Sequence, residues 1–166
     1  MLNKKLLFLI LLYITVIYLT LPVGRYAVNF LYSSVGKENL SIIMNALLLI
    51  SVTGIVYVFK NRLKKLLILF PVIVLIGFLF ITLDRPEERI HFLQYAILGV
   101  MFFKFFEFTD SVKRAFLSLF SVVVVGAVDE TIQYFLPNRV GDLKDVMINS
   151  ISGVLGVCIG RLYWFS

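Results

Sequence analysis

The stretches that decide the fold are Leu6-Leu7-Phe8-Leu9-Ile10-Leu11-Leu12 and Val122-Val123-Val124-Val125, apolar at every position. A strand of a membrane barrel alternates apolar and polar side chains, whereas a helix in lipid or within a bundle does not. A bilayer core of ~30 Å takes about 20 apolar residues per helix. Working outward with that window gives six candidate spans, near 6–22, 40–59, 66–83, 90–106, 115–136 and 146–165. The expected fold is an all-α integral membrane protein: one transmembrane domain over 1–166, with about six transmembrane helices in one bundle.

Composition agrees. Of 166 residues, 60% are hydrophobic and 16% charged, against about 45–50% and about 25% in a soluble domain. Too few polar side chains remain to cover a water-soluble globule. The single cysteine, Cys158, excludes an intramolecular disulfide framework and Cys-rich metal sites. Lys4 and Lys5 precede an apolar run as in a secretory signal, but no small-x-small cleavage site follows, so the first span is expected to be retained. The longest connection is 23–39. Its Tyr26, Phe30 and Tyr32, with Arg25 and Lys37, suit a short amphipathic segment along the interface.

Orientation follows from lysine and arginine. With the N-terminus inside, the inner loops collect Lys4, Lys5, Lys60, Arg62, Lys64, Lys65, Lys104, Lys113, Arg114 and Arg161, and eight of the ten acidic residues fall outside. The positive-inside rule then places both termini in the cytoplasm. The formal net charge of +6 is thus a topology signal. No basic patch with interleaved stacking aromatics is present, which sets nucleic acid aside as a partner.

This topology brings the unusual residues to one membrane depth. Helix four begins with Glu87, Glu88 and Arg89 and carries His91, Gln94 and Tyr95; helix five ends with Asp129, Glu130 and Gln133. Arg139 and Asp142 lie in the next loop, and helix six begins with Asp145 and Asn149. His91 to Tyr95, Asp129 to Gln133 and Asp145 to Asn149 are each four residues apart, which stacks each pair on one helix face. Charged groups near hydrocarbon are costly unless they pair or line a wet cavity, so their convergence marks a candidate functional site.

Glu88-Arg89-Ile90-His91-Phe92 with Tyr95 and Leu98-Gly99, followed by Asp129-Glu130-Thr131-Ile132-Gln133, Phe135, Pro137, Arg139, Asp142, Asp145, Asn149 and Gly153, resembles the VanZ-like family. These are small bacterial membrane proteins named for an accessory component of glycopeptide resistance that confers teicoplanin tolerance. The resemblance covers about 84–160. Where the family commonly has a lysine this chain has Arg89, which preserves the charge. The resemblance implies an envelope role without fixing a reaction.

On this basis His91 is the expected general acid or base, with Asp129 or Glu130 orienting it or acting as the second acid–base group. Arg89 and Arg139 would clamp an anionic group; Tyr95, Gln133, Asp142, Asp145 and Asn149 would position the substrate. The expected partners are the lipid bilayer and a lipid-linked or cell-wall head group. Structural alternatives stand beside each role. His91 can be a hydrogen-bonded histidine at a helix end, Asp142 the N-cap of helix six, and Arg139 with Asp129 an ion pair fixing the loop. A metal site of His91, Asp129, Glu130 and Asp145 would suit a hard or borderline cation, yet no local ligand spacing supports it. No metal or other cofactor is expected. A serine-protease frame around Ser118, Ser121, Ser150 or Ser152 is missing, as is a Gly-x-Gly-x-x-Gly loop. Ser152, Gly156 and Gly160 form a small-residue packing stripe, and the phenylalanines from Phe102 to Phe108 are expected to face lipid or the inner aromatic belt.

Overall fold

A computed structural model describes residues 3–83, 86–137 and 143–165. All their regular structure is helical: α1 (Lys4–Val35), α2 (Lys37–Phe59), α3 (Leu63–Thr82), α4 (Pro86–Phe105), α5 (Ser111–Phe135) and α6 (Leu143–Trp164). Four of these, α1, α2, α5 and α6, are long and apolar enough to cross a membrane. α4 is more polar, with Glu87, Glu88, Arg89 and Lys104 among its 20 residues.

The distribution of side chains suits lipid better than water. Phe30, Leu49, Phe70, Phe78 and Phe116 are largely exposed, whereas Arg114, Ser118, Asp129, Glu130, Gln133, Asn149 and Ser152 are buried. In water this arrangement would leave extensive apolar surface unmatched; in a bilayer the apolar surface faces acyl chains and the polar groups satisfy one another.

The segment 23–39 corrects a sequence expectation. It is no loop: α1 runs unbroken through Pro22 to Val35, about 48 Å at 1.5 Å per residue, and only Gly36 separates it from α2. Arg25, Asn29, Ser33 and Ser34 lower the hydropathy after Pro22, which ends a lipid window without ending a helix. The stop is Gly36, at φ 81°, a left-handed conformation that glycine adopts without steric penalty. The starts of α1 and α5 are capped. The Asn3 side chain accepts from Leu6 N at 3.1 Å, and Asp110 accepts from the amides of Val112 and Lys113 at 3.1 and 3.0 Å.

α4 is the hub, packing on α6, α5, α1 and α2. Its closest approach is to α6, where backbones touch. A Cβ built on Gly156 would lie 2.0 Å from the Ala96 carbonyl oxygen, and one on Gly99 would lie 2.4 Å from that of Gly153. On its other side Gly153 abuts Val122 of α5, at 2.3 Å from such a Cβ. Two apolar clusters flank this seam. One joins Ile10 of α1 to Tyr95, Leu98 and Phe102 of α4 and to Val122 and Val125 of α5. The other joins Val28, Leu40, Met44, Phe80 and Phe92 from α1 to α4 with Leu155 of α6.

The phenylalanine run is also corrected. Phe102, Phe103 and Phe105 are buried, and Phe108 is half exposed. Phe103 stacks on Trp164 at 6.4 Å and lies under the Arg114 guanidinium at 4.0 Å, while Arg114 Nε donates to the Phe103 carbonyl. The same end receives the C-terminus of α6. Lys65 Nζ donates to the carbonyls of Leu162 and Phe165, both at 2.8 Å, groups that a helix end leaves without partners. In the α4–α5 turn the Lys104 ammonium bonded to Glu107 holds that carboxyl below its ordinary range. A depressed carboxyl contributes stability above its unfolded titration range and loses it as pH falls through the folded one. Exposure and salt keep this contribution small.

The glycine seam is directly testable. Gly156→Val should lower stability by about 1–3 kcal/mol through overpacking, read as a lower thermal unfolding midpoint in detergent. Gly77→Ala, with nothing within 4 Å of its Cβ, should leave the midpoint unchanged or raise it, since alanine is the better helix former by about 0.5–1 kcal/mol. Equal midpoints for the two variants would mean that the seam does not hold the bundle.

Candidate functional site

At the end of the bundle opposite the α4–α5 turn, three helices contribute to one polar cluster centred on Asp129 of α5. Asp129 has no exposed surface, Gln133 is 4% exposed and Glu130 6%. Tyr95 of α4, also fully buried, donates its hydroxyl to Asp129 Oδ2 at 2.7 Å. Gln133, one turn further along α5, donates Nε2 to Asp129 Oδ1 at 2.8 Å and to Glu130 Oε1 at 3.2 Å. His91 brings Nδ1 to 3.6 Å from Asp129 Oδ2, and its ring tilts over that of Tyr95 at 6.4 Å between centroids. The four-residue spacings explain the convergence: His91 and Tyr95 share a face of α4, Asp129 and Gln133 a face of α5.

α6 closes the cluster. Asn149 is buried and packs on Gly126, where an added Cβ would sit 3.4 Å from Asn149 Cβ and 3.6 Å from the Tyr95 ring. Gly126 thus leaves the space that Asn149 and Tyr95 share. Asp145 is half-buried in the first turn of α6. Beside it, Lys144 Nζ lies 3.8 Å from Glu88 Oε1 of α4.

Arg89 points elsewhere. Its Nε donates to the Leu83 carbonyl at 2.8 Å, and Nη1 reaches Ser41 Oγ at 3.2 Å and Asn45 Oδ1 at 3.3 Å, with the guanidinium 5.4 Å above the Phe80 ring. It ties α4 to α2 and the end of α3 rather than meeting Asp129. Arg139 and Asp142, with the pairing and capping read for them from sequence, lie outside the described residues. Among the described residues, no three His, Cys, Asp or Glu side chains are grouped to hold a metal ion.

Two contributors carried no motif. From α1, Tyr18 donates its hydroxyl to the Val125 carbonyl at 3.0 Å and Tyr13 to that of Gln94 at 3.3 Å. The one available signal was a hydroxyl in mid-span of an apolar helix, which needs an acceptor when no water is at hand. Glu88, part of the motif but given no role, faces Lys144.

The arrangement places an imidazole against a buried carboxylate, a geometry that orients a ring for proton transfer. The same contacts also fasten α4 to α5. Removing the hydroxyl in Tyr95→Phe should destabilise by about 1.5–3 kcal/mol, as for a hydrogen bond to a charged group, and Tyr18→Phe by about 0.5–1.5 kcal/mol. Denaturant or thermal unfolding in detergent ranks the two. The double variant Tyr95→Phe/Asp129→Asn should be non-additive because the groups touch; additive losses would deny their coupling.

No curated protein and no solved structure matches the chain. The family model described as VanZ/LLP1 matches residues 5–164, nearly the whole chain and well beyond the segment that carried the sequence resemblance. The chain belongs to the VanZ/LLP1 family.

Proposed function

We propose that this is a multi-pass protein of the bacterial cytoplasmic membrane, with six spans and both termini cytoplasmic. The Asp129 cluster then sits near the extracytoplasmic face, where it binds or processes a polar or lipid-linked envelope component. The observation that carries this reading is the constellation of half-buried His91 with buried Asp129, Tyr95 and Gln133 inside a bundle with many large apolar side chains on its outer surface. Ionisable groups at such depth are expensive, and function is the default explanation for them. Family membership supports a membrane role, and we extend the proposal to a contribution to teicoplanin tolerance. The orientation rests on the cations at the end formed by Lys65, Lys104 and Arg114.

As an enzyme, it would use His91 as general acid or base, oriented by Asp129, with Glu130 as the second acid–base group. Arg139 would hold the anionic part of the ligand, and Asp142, Asp145 and Asn149 would position it. Arg89, with its donors directed at α2 and α3, would secure the start of α4. A second reading is a non-catalytic cluster that fastens helices, alone or within a larger membrane complex. It is favoured by one observation: Asp129 of α5 accepts a bond from Tyr95 of α4.

Thermal unfolding in detergent separates the readings. Wild type mixed with lipid-linked cell-wall precursor at about 100-fold excess over Kd should gain about 2.7 kcal/mol of apparent stability. His91→Ala, Glu130→Gln, Arg139→Ala and Asp145→Asn should fold normally and lose that gain. Variants that unfold early, with no gain in any protein including wild type, would leave the fastening role alone. Topology is checked in a Cys158→Ala background with single cysteines and an impermeant maleimide applied to intact cells. Pro137→Cys should label and Asn61→Cys should not.

A further inference from the structure

Asp129 and Tyr95 have no exposed surface, but the His91 side chain keeps 16% of its own. His91 forms part of the wall of a groove of about 250 Å³ between α1 and α4, lined by Leu21, Gly24, Val28 and Leu31 of α1 and by His91 and Gln94 of α4. The α1 positions are spaced three, four and three residues apart, a single stripe about 15 Å long. Gly24 has no side chain and Ala27 only a methyl, which is why the two helices leave a trough. Thr20, the polar residue on the α1 wall, turns its hydroxyl back to the Ile17 carbonyl at 2.7 Å. The groove is therefore hydrocarbon-lined on α1, and on α4 His91 and Gln94 stand as polar groups beside Ile90.

We propose that this α1–α4 groove seats the hydrocarbon adjoining the head of a bilayer lipid and presents that head to His91. The inference rests on the proposed envelope function and names its substrate class: an amphiphile reached sideways from the membrane. Leu21 and Val28 are already packed within the bundle, but a water-soluble sugar or peptide would leave the exposed Ala27 and Leu31 beside them without an apolar partner. Pockets for drug-sized molecules run to about 300–1,000 Å³, so a smaller trough fits one chain better than a bulky glycopeptide. A wider groove between α5 and α6, lined by Ala127, Glu130, Tyr134 and Leu143, is the internal control, because it reaches Glu130 without His91.

The test uses the full chain in phosphatidylethanolamine/phosphatidylglycerol vesicles with a photoreactive diazirine probe. The probe is either phosphatidylglycerol with the diazirine high in one acyl chain or a polyprenyl phosphate with it near the head. Cross-links are mapped by mass spectrometry. At least one probe should concentrate on residues 20–31 and 90–94, and which one does so names the lipid source. Ala27→Phe, filling the trough, should cut that labelling about tenfold, equivalent to losing about two buried methylenes at about 0.8 kcal/mol each. Ala127→Phe, in the α5–α6 groove, should not change it. Gly24→Leu serves as a second block if Ala27→Phe lowers the unfolding midpoint.

Labelling by both probes that is as dense on α2 and α3 as on 20–31, or that is insensitive to both blocks, overturns the groove. If His91→Ala still abolishes the precursor-induced thermal shift, the proposed function survives that failure. Concentrated labelling together with wild-type precursor shifts in His91→Ala and Glu130→Gln overturns the presentation of the head to His91 and the functional reading with it.

Discussion

The contact on which the rest depends is the meeting of the α4 and α6 backbones at Gly99, Gly153 and Gly156. No side chain fits between Gly156 and the Ala96 carbonyl, or between Gly99 and that of Gly153, so van der Waals contact is made along the helices themselves. Apolar burial gives little drive for association when the solvent is hydrocarbon, and close packing of small residues takes its place. The consequence reaches the polar cluster. Gly153 also abuts Val122 of α5, so the seam fixes α5 against α4, and the Tyr95 hydroxyl meets Asp129 two turns above Val122.

The cluster shows how a carboxylate is kept inside such a bundle. An ionised Asp is acceptor-only, and here neutral donors from two helices address its two oxygens: Tyr95 on one, Gln133 on the other. Isolated burial of that charge would be prohibitive, and breaking a buried polar network by removing one partner is worse than never having built it. The cluster's Tyr95 bond therefore also fastens α4 to α5. Ligand-dependent measurements are needed because a fastening network has nothing to gain from a ligand.

Much of this was legible from the sequence. Apolar runs gave six helices near their observed places, four of them long and apolar enough to cross a membrane. The four-residue pairs His91/Tyr95 and Asp129/Gln133 placed groups on common faces, and those faces meet. What failed was local or long-range. Hydropathy windows stopped α1 at Pro22, although backbone geometry carries it to Gly36. Charge alone placed Arg89 beside the carboxylates, but acceptors at Ser41, Asn45 and Leu83, far off in sequence, are nearer its reach. Tyr13 and Tyr18 were invisible for the same reason: their acceptors are main-chain carbonyls, which every sequence has and no motif marks. The buried phenylalanines of α4 were misplaced because an aromatic belt and an aromatic core have the same composition.

The two ends of the bundle divide the work. At one end, Lys65 and Arg62 hold the last carbonyls of α6, and Arg114 lies within a box of Phe103, Trp164 and Phe165. Cations there meet helix C-terminal carbonyls and aromatic faces, both favourable partners. At the other end the central group is the Asp129 carboxyl, whose described bonds come from Tyr95 and Gln133, with the His91 imidazole 3.6 Å away. Under the function proposed above, the cationic end anchors the bundle while a ligand reaches the carboxyl end from the side. The α1–α4 trough is one of several grooves among the described residues, and of these it is the one that His91 lines.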